Sequence, residues 1–239
     1  MRLRVLAAAL VATLAAGLAA CSSGPTNAAP TAAGTSAAAD AAFPATVATK
    51  FGDVTINAKP TKVVALGWGD AETALALGVQ PVGASDWLGF GGEGVGPRAK
   101  GLYTTPPVII GTMEPSFEKI AALKPDLILD VKGSGDQARY DRLKSIAPTI
   151  GVPKGGDSYL TNQQQQLSMI AAALGEKAKG EALAKEVTDA FTAAAAAHPG
   201  WKGKTVSAVT KTADSWGAYV DGSERVTFLQ NLGFVQNPR

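Results

Sequence analysis

The stretch Gly111-Thr-Met113-Glu114-Pro-Ser116-Phe117-Glu118-Lys-Ile120-Ala-Ala-Leu123-Lys-Pro125-Asp126-Leu127-Ile-Leu129-Asp-Val131 decides the fold class. Phe117, Ile120, Ala121 and Leu123 recur at helical spacing. Pro125 then stops the helix, and Leu127 to Leu129 form an apolar run of strand length. The spacing predicts a helix over 116–124 feeding a buried strand over 127–131.

The same alternation extends on both sides. Val63 to Leu66, Pro81 to Ala84, Val108 to Ile110 and Thr149 to Val152 read as further strands. A helix capped by Asp70 and ending at Gly78, and another over about 136–146, lie between them. Continuously apolar strands separated by helices argue for a parallel sheet covered on both faces, so the fold class is α/β.

From about Thr161 the pattern becomes helical. Leu167, Ile170 and Leu174 mark one helix and Gly175 separates it from a second. That second segment, 176–197, carries Leu183, Val187, Ala190, Phe191 and Ala194 on one stripe, roughly 33 Å long at the α-helical rise. After Pro199-Gly200 a new αβ unit opens, with Thr205 to Thr210 as strand and Arg225 to Leu232 as helix.

The N-terminus has a different character. Arg2 and Arg4 precede an apolar run from Val5 to Leu18, too short to span a bilayer and suited to an export signal over residues 1–20. The run ends Leu18-Ala-Ala-Cys21-Ser22, which resembles a lipoprotein signal with Cys21 as the lipidated residue; an ordinary small-residue cleavage site is the alternative. Cys21 is the only cysteine, so no internal disulfide forms. Residues 21–42 are rich in Ala, Ser, Thr, Gly and Pro and read as a flexible tether spanning roughly 25 Å. Without Arg2 and Arg4, basic and acidic side chains number 20 each. That balance gives no footprint for nucleic acid.

The wording Glu114-Pro-Ser-x-Glu118-Lys-Ile-Ala-Ala-Leu-Lys-Pro-Asp-Leu-Ile-Leu129 resembles the signature of bacterial iron-siderophore and cobalamin substrate-binding proteins, the solute receptors of ATP-binding-cassette (ABC) importers. The resemblance runs from about residue 50 to 239. It implies a two-lobe periplasmic-binding-protein fold: an N-terminal lobe over 43–174, a rigid connecting helix over 175–198 and a C-terminal lobe over 199–239. Members of that family continue through several more elements of the second lobe, so the expectation is a truncated chain with that lobe incomplete.

The resemblance further implies a monomeric, exported receptor, anchored by lipid to the outer face of the cytoplasmic membrane. It would deliver a ferric siderophore to the membrane permease, with no catalysis and no intrinsic cofactor or metal site. Iron would arrive only as the chelated ligand. Glu118, at the matching motif position, would dock on the permease.

Ligands of parallel α/β sheets meet the loops at the carboxyl ends of the strands. Those loops carry Trp68, Trp87, Met113 and Lys132, and the last αβ unit adds Trp216 and Tyr219. Aromatic walls suit a large ligand, and Lys132, Lys154 or Arg98 would offer charge to an anionic ferric complex. Some of these tryptophans could equally plug the sheet ends.

Catalytic motifs are missing. Gly92-x-Gly94-x-Gly96 runs into Pro97, and Gly67-Trp68-Gly69 has Glu72 where a dinucleotide fingerprint needs its third glycine. One histidine argues against bare zinc or manganese as ligand. The remaining alternatives are a cobalamin or haem receptor of the same fold, an exported enzyme whose catalytic part is absent, and a remnant that has lost binding.

Overall fold

A computed structural model describes residues 42–156 and 158–238. The export signal, Cys21 and all of the tether except Ala42 lie outside the described residues.

Five parallel strands form the central sheet: β3 (Val63–Ala65), β4 (Gly83–Ser85), β5 (Val108–Gly111), β6 (Leu127–Leu129) and β7 (Thr149–Ile150), in the order β5-β4-β3-β6-β7. Alternate residues serve opposite faces, as strand geometry requires. Val63, Ala65, Leu127, Leu129 and Ile150 point into one core with α1 (Asp70–Ala76) and α4 (Gln163–Leu174). Val64, Ile110 and Ile128 point into a second core with α2 (Phe117–Leu123) and α3 (Gln137–Lys144). Both faces are covered, which is why the strands read as unbroken apolar runs.

The 111–131 unit forms as its spacing predicts, with α2 capped by the Ser116 side chain and closed by Lys124 in the left-handed conformation (φ 50°). Ile120 is fully buried, but Ala121 is exposed rather than on the inner face. Phe117 is half-buried, with the Arg142 guanidinium 3.6 Å from its ring centroid.

Before the sheet, β1 (Ala45–Thr49) and β2 (Gly52–Ile56) make an antiparallel hairpin whose inward residues Val47 and Ile56 join the first core. The hairpin tip is fixed to α3 and to the segment after β7: Phe51 stacks on Tyr140 at 4.0 Å, and Lys50 donates its amide to the Val152 carbonyl at 2.9 Å.

The long helix α5 (Lys177–Ala197) is 21 residues. Gly180 lets it approach α4, since a Cβ there would lie 2.6 Å from the Ala171 side chain. Leu183, Val187, Phe191 and Ala194 are half-buried, whereas Ala190 faces solvent. Beyond α5, the expected single strand over 205–210 is two strands in different sheets. β8 (Thr205–Val206) pairs in parallel with β11 (Val235–Gln236), and β9 (Val209–Lys211) pairs antiparallel with β10 (Trp216–Ala218). Helix α6 (Glu224–Asn231) packs against α5 through Phe228 and Phe191, with ring centroids 5.2 Å apart.

Candidate functional site

In this strand order the chain leaves β3 toward β4 but leaves β6 toward β7, so the loops following β3 and β6 diverge. That divergence opens a crevice at the carboxyl ends of the strands.

Its floor is a buried polar knot. Asp70 is not the N-cap of α1; Gly69 holds that position in the left-handed conformation (φ 78°), with no side-chain cap bond. The Asp70 carboxylate turns inward, where Oδ2 accepts the Gly67 and Val131 amides at 3.1 and 2.8 Å and Oδ1 accepts Gln166 Nε2 at 2.6 Å. Gln166 Nε2 also donates to the Trp68 carbonyl at 2.8 Å, and the Trp68 amide donates to the Lys132 carbonyl at 3.0 Å. Thr161 Oγ1 donates to the Val131 carbonyl at 2.7 Å. The β3 loop, the β6 loop and α4 are thereby tied together. Burial raises the Asp70 pKa to about 7, aided by the neighbouring Asp130 charge, while the bond from Gln166 pulls it back.

Beside this knot, Arg139 grips Asp130 side-on, Nε to Oδ2 at 3.0 Å and Nη2 to Oδ1 at 2.7 Å, with both side chains nearly buried. Its Nη1 donates to the Met113 carbonyl at 3.2 Å, so the loop after β5 joins the same layer. Burial pushes the Asp130 carboxyl up, and Arg139 opposes that shift.

Above the knot stands a row of rings. Trp68 stacks on Tyr159 at 4.4 Å and on Trp87 at 5.6 Å, and Trp87 meets Phe90 edge-on at 5.4 Å. The three stacked rings are half-buried and Phe90 is exposed. Each is held from behind. Trp87 Nε1 donates to Glu72 Oε1 at 3.1 Å, Asp86 accepts the Phe90 and Gly91 amides at 2.7 and 2.8 Å, and the Tyr159 amide donates to the Gly133 carbonyl at 2.8 Å.

Trp68 and Trp87, singled out in the sequence, are therefore neighbours. Met113 is exposed and reaches this layer through its carbonyl. Lys132 is not available as a free charge: its side chain is buried and its ammonium pairs with Glu224 Oε2 at 2.6 Å. Trp216 and Tyr219 make their ring contacts elsewhere. Trp216 is largely exposed, with Lys211 Nζ 5.4 Å from its ring centroid, and Arg225 lies 4.5 Å from that of Tyr219.

Glu118 is fully exposed at the start of α2, where its own backbone amide and then the Ser116 hydroxyl hold its carboxyl below the usual range. It borders a surface groove of about 300 Å³ formed with Phe117, Ala121, Arg142, Ser145 and Ile146.

The sequence reading missed Tyr159, Phe90 and the supporting Glu72. Tyr159 lies in the loop after β7, so the strand-end rule that selected Trp68 applies to it equally. Among the described residues no cluster of three or more His, Cys, Asp or Glu side chains could hold a metal ion, and no helix is long and apolar enough to cross a membrane.

Residues 63–237 match the family model described as periplasmic binding protein. The chain is 28% identical over 193 residues to the Fe(3+) dicitrate-binding periplasmic protein FecB of Escherichia coli, covering 80% of this chain and 62% of the relative. It is 31% identical over 186 residues to the probable siderophore-binding lipoprotein YfiY of Bacillus subtilis, covering 75% and 53%. Among solved structures, Streptococcus pneumoniae PiaA in complex with ferrichrome superposes with a TM-score of 0.70 at 27% identity, covering 80% of this chain and 67% of that one. The chain thus spans only about half to three-fifths of the length of these two curated relatives.

Proposed function

Because the chain belongs to the periplasmic binding protein family, we propose that it is the extracytoplasmic solute-binding component of an ABC importer, and that it captures a ferric siderophore for delivery to a membrane permease. The observation that carries this reading is the row Tyr159–Trp68–Trp87–Phe90 mounted over a crevice at the carboxyl ends of the parallel strands. Three loops from separate strands place wide aromatic faces side by side, which suits contact with a large preformed complex. Iron carried inside its chelator needs no protein ligands. The named ligands of FecB, YfiY and PiaA point to the same class of cargo.

Met113, Lys132, Trp216 and Tyr219 complete the proposed ligand contacts, with Lys132 acting from within its pair to Glu224. Glu118 is the proposed permease contact, supported by its exposure and its charge beside the α2/α3 groove. Cys21 is the proposed lipid attachment, which would hold a monomer at the outer face of the cytoplasmic membrane.

Titrating intrinsic tryptophan fluorescence with ferric siderophores tests the reading. Saturable quenching in the wild type, reduced in Trp68→Phe and Trp87→Phe, is the expected result. A wild type that does not respond would contradict it.

A further inference from the structure

Both tryptophans of the wall are mounted on one short helix. Asp70 and Glu72 stand two positions apart on α1 and so face different sides of it. Asp70 binds the Gly67 and Val131 amides beneath Trp68, while Glu72 turns to the loop after β4. There a single oxygen, Oε1, accepts Trp87 Nε1 at 3.1 Å and the Gly96 amide at 3.3 Å. Between these two donors the chain runs Leu88-Gly89-Phe90-Gly91-Gly92-Glu93-Gly94-Val95. Gly91 and Gly92 hold left-handed φ values of 74° and 60°, and a Cβ on either would meet nothing within 4 Å. A backbone of this composition has little stiffness of its own. Phe90 nevertheless meets Trp87 edge-on at 5.4 Å, because the loop is tied at both ends. Asp86 takes the Phe90 and Gly91 amides, Val95 is buried in the first core, and Glu72 takes Gly96.

Of these ties only Glu72 reaches a ring of the wall, since Nε1 is the one polar atom of an indole. Trp87 is half-buried, and its side-chain bond to Glu72 stops the indole from turning away from Trp68, against which it lies at 25°. Glu72 Oε2 is itself buried, so the carboxylate acts from behind the wall rather than on its open face. A wall set in advance spares the bound state the cost of ordering its side chains. We propose that Glu72 is the positioning residue of the site: it fixes the Trp87 indole against Trp68 and closes the loop that carries Phe90, so that the aromatic row is preorganised for its ligand. This proposal rests on the siderophore-receptor reading above and names the residue that sets the wall on which that reading depends.

The test compares three variants of the full 239-residue chain. Glu72→Ala removes the acceptor, Glu72→Gln keeps a side-chain oxygen that can accept both bonds, and Trp87→Phe keeps a ring but removes the donor. Near-ultraviolet circular dichroism without ligand reads the setting of the indoles. Calorimetric titration with ferrichrome, a ferric tris-catecholate and ferric dicitrate reads affinity, and the variants are compared on the complex that the wild type binds. Glu72→Ala should shift the spectrum toward that of Trp87→Phe and weaken binding about three- to ten-fold, whereas Glu72→Gln should keep the wild-type spectrum and most of the affinity. Trp87→Phe should lose a similar factor, and adding Glu72→Ala to it should cost less than about two-fold more, because the contact is already gone. A folded Glu72→Ala or Trp87→Phe variant that binds as the wild type does, full additivity of the two, or a Glu72→Gln variant as impaired as Glu72→Ala, overturns the positioning role and leaves the receptor reading standing. Binding of none of the three complexes by the wild type overturns the receptor reading, and the ligand-free spectra then decide the positioning of Trp87 alone.

Discussion

Asp70 Oδ2 accepts the backbone amide of Val131 at 2.8 Å, joining the first turn of α1 to the loop after β6, 61 residues later in the chain. Together with the Trp68 amide on the Lys132 carbonyl at 3.0 Å, this bond holds the two loops that diverge at the sheet crossover together beneath Trp68.

Stability should depend on pH through Asp70. Its folded pKa is about 7 against an ordinary value of 3.8, so between those values the folded protein holds a proton that the unfolded chain releases. Stability from this group is therefore full below pH 4 and falls as pH rises toward 7, by an amount on the order of a few kcal/mol. Thermal melts at pH 5 and pH 8 should show the higher midpoint at pH 5. Asp70→Asn, which cannot ionise, should flatten the difference; an unchanged slope would show that other groups set it.

Gly67 should tolerate no side chain. A Cβ there would run into Asp70 Oδ2 and lie 2.7 Å from the Lys132 amide nitrogen. Gly67→Ala is expected to cost about 1–3 kcal/mol by urea denaturation. Gly200→Ala, with nothing within 4 Å of its Cβ, should stay within about 0.5 kcal/mol of wild type.

The Asp130–Arg139 pair should be strongly coupled. Arg139→Leu leaves a buried carboxylate unpaired and is expected to cost about 3–5 kcal/mol, whereas the double variant with Asp130→Leu should recover a large part of that loss. A double-mutant cycle by chemical denaturation measures the difference, and strict additivity would contradict the pairing.

Tyr159 should contribute to ligand affinity through its ring. Tyr159→Phe preserves the 4.4 Å stack on Trp68 and should bind a ferric siderophore nearly as wild type. Tyr159→Ala should weaken binding about two- to ten-fold, the range of one aromatic pair. Calorimetric titration of both variants separates ring stacking from any role of the hydroxyl.

The parallel sheet was legible because its strands are buried on both faces and read as unbroken apolar runs, and because Ser116 and Pro125 punctuate the α2 unit. The β1/β2 hairpin was not. In β1 the buried positions include Thr49 and the exposed ones include Ala48, so burial there does not follow hydropathy and the strand leaves no clear alternation. Asp70 reads as an N-cap because aspartate favours that place, and only the amides converging from Gly67, Val131 and Gln166 draw it inward. At the site, Trp68 and Trp87 could be found by their positions after strands. Their contact with each other, and the pairing of Lys132 with Glu224 across more than ninety residues, arise from tertiary placement that no local pattern encodes.

Capture of a coloured ferric complex on the Trp68–Trp87 wall is tested by passing the protein with excess ferric siderophore through gel filtration and reading the visible absorbance of the protein peak. Near-stoichiometric co-elution is expected for the wild type, and its loss in a folded Trp68→Ala/Trp87→Ala variant. A folded wild-type protein that elutes free of the iron chromophore would contradict it.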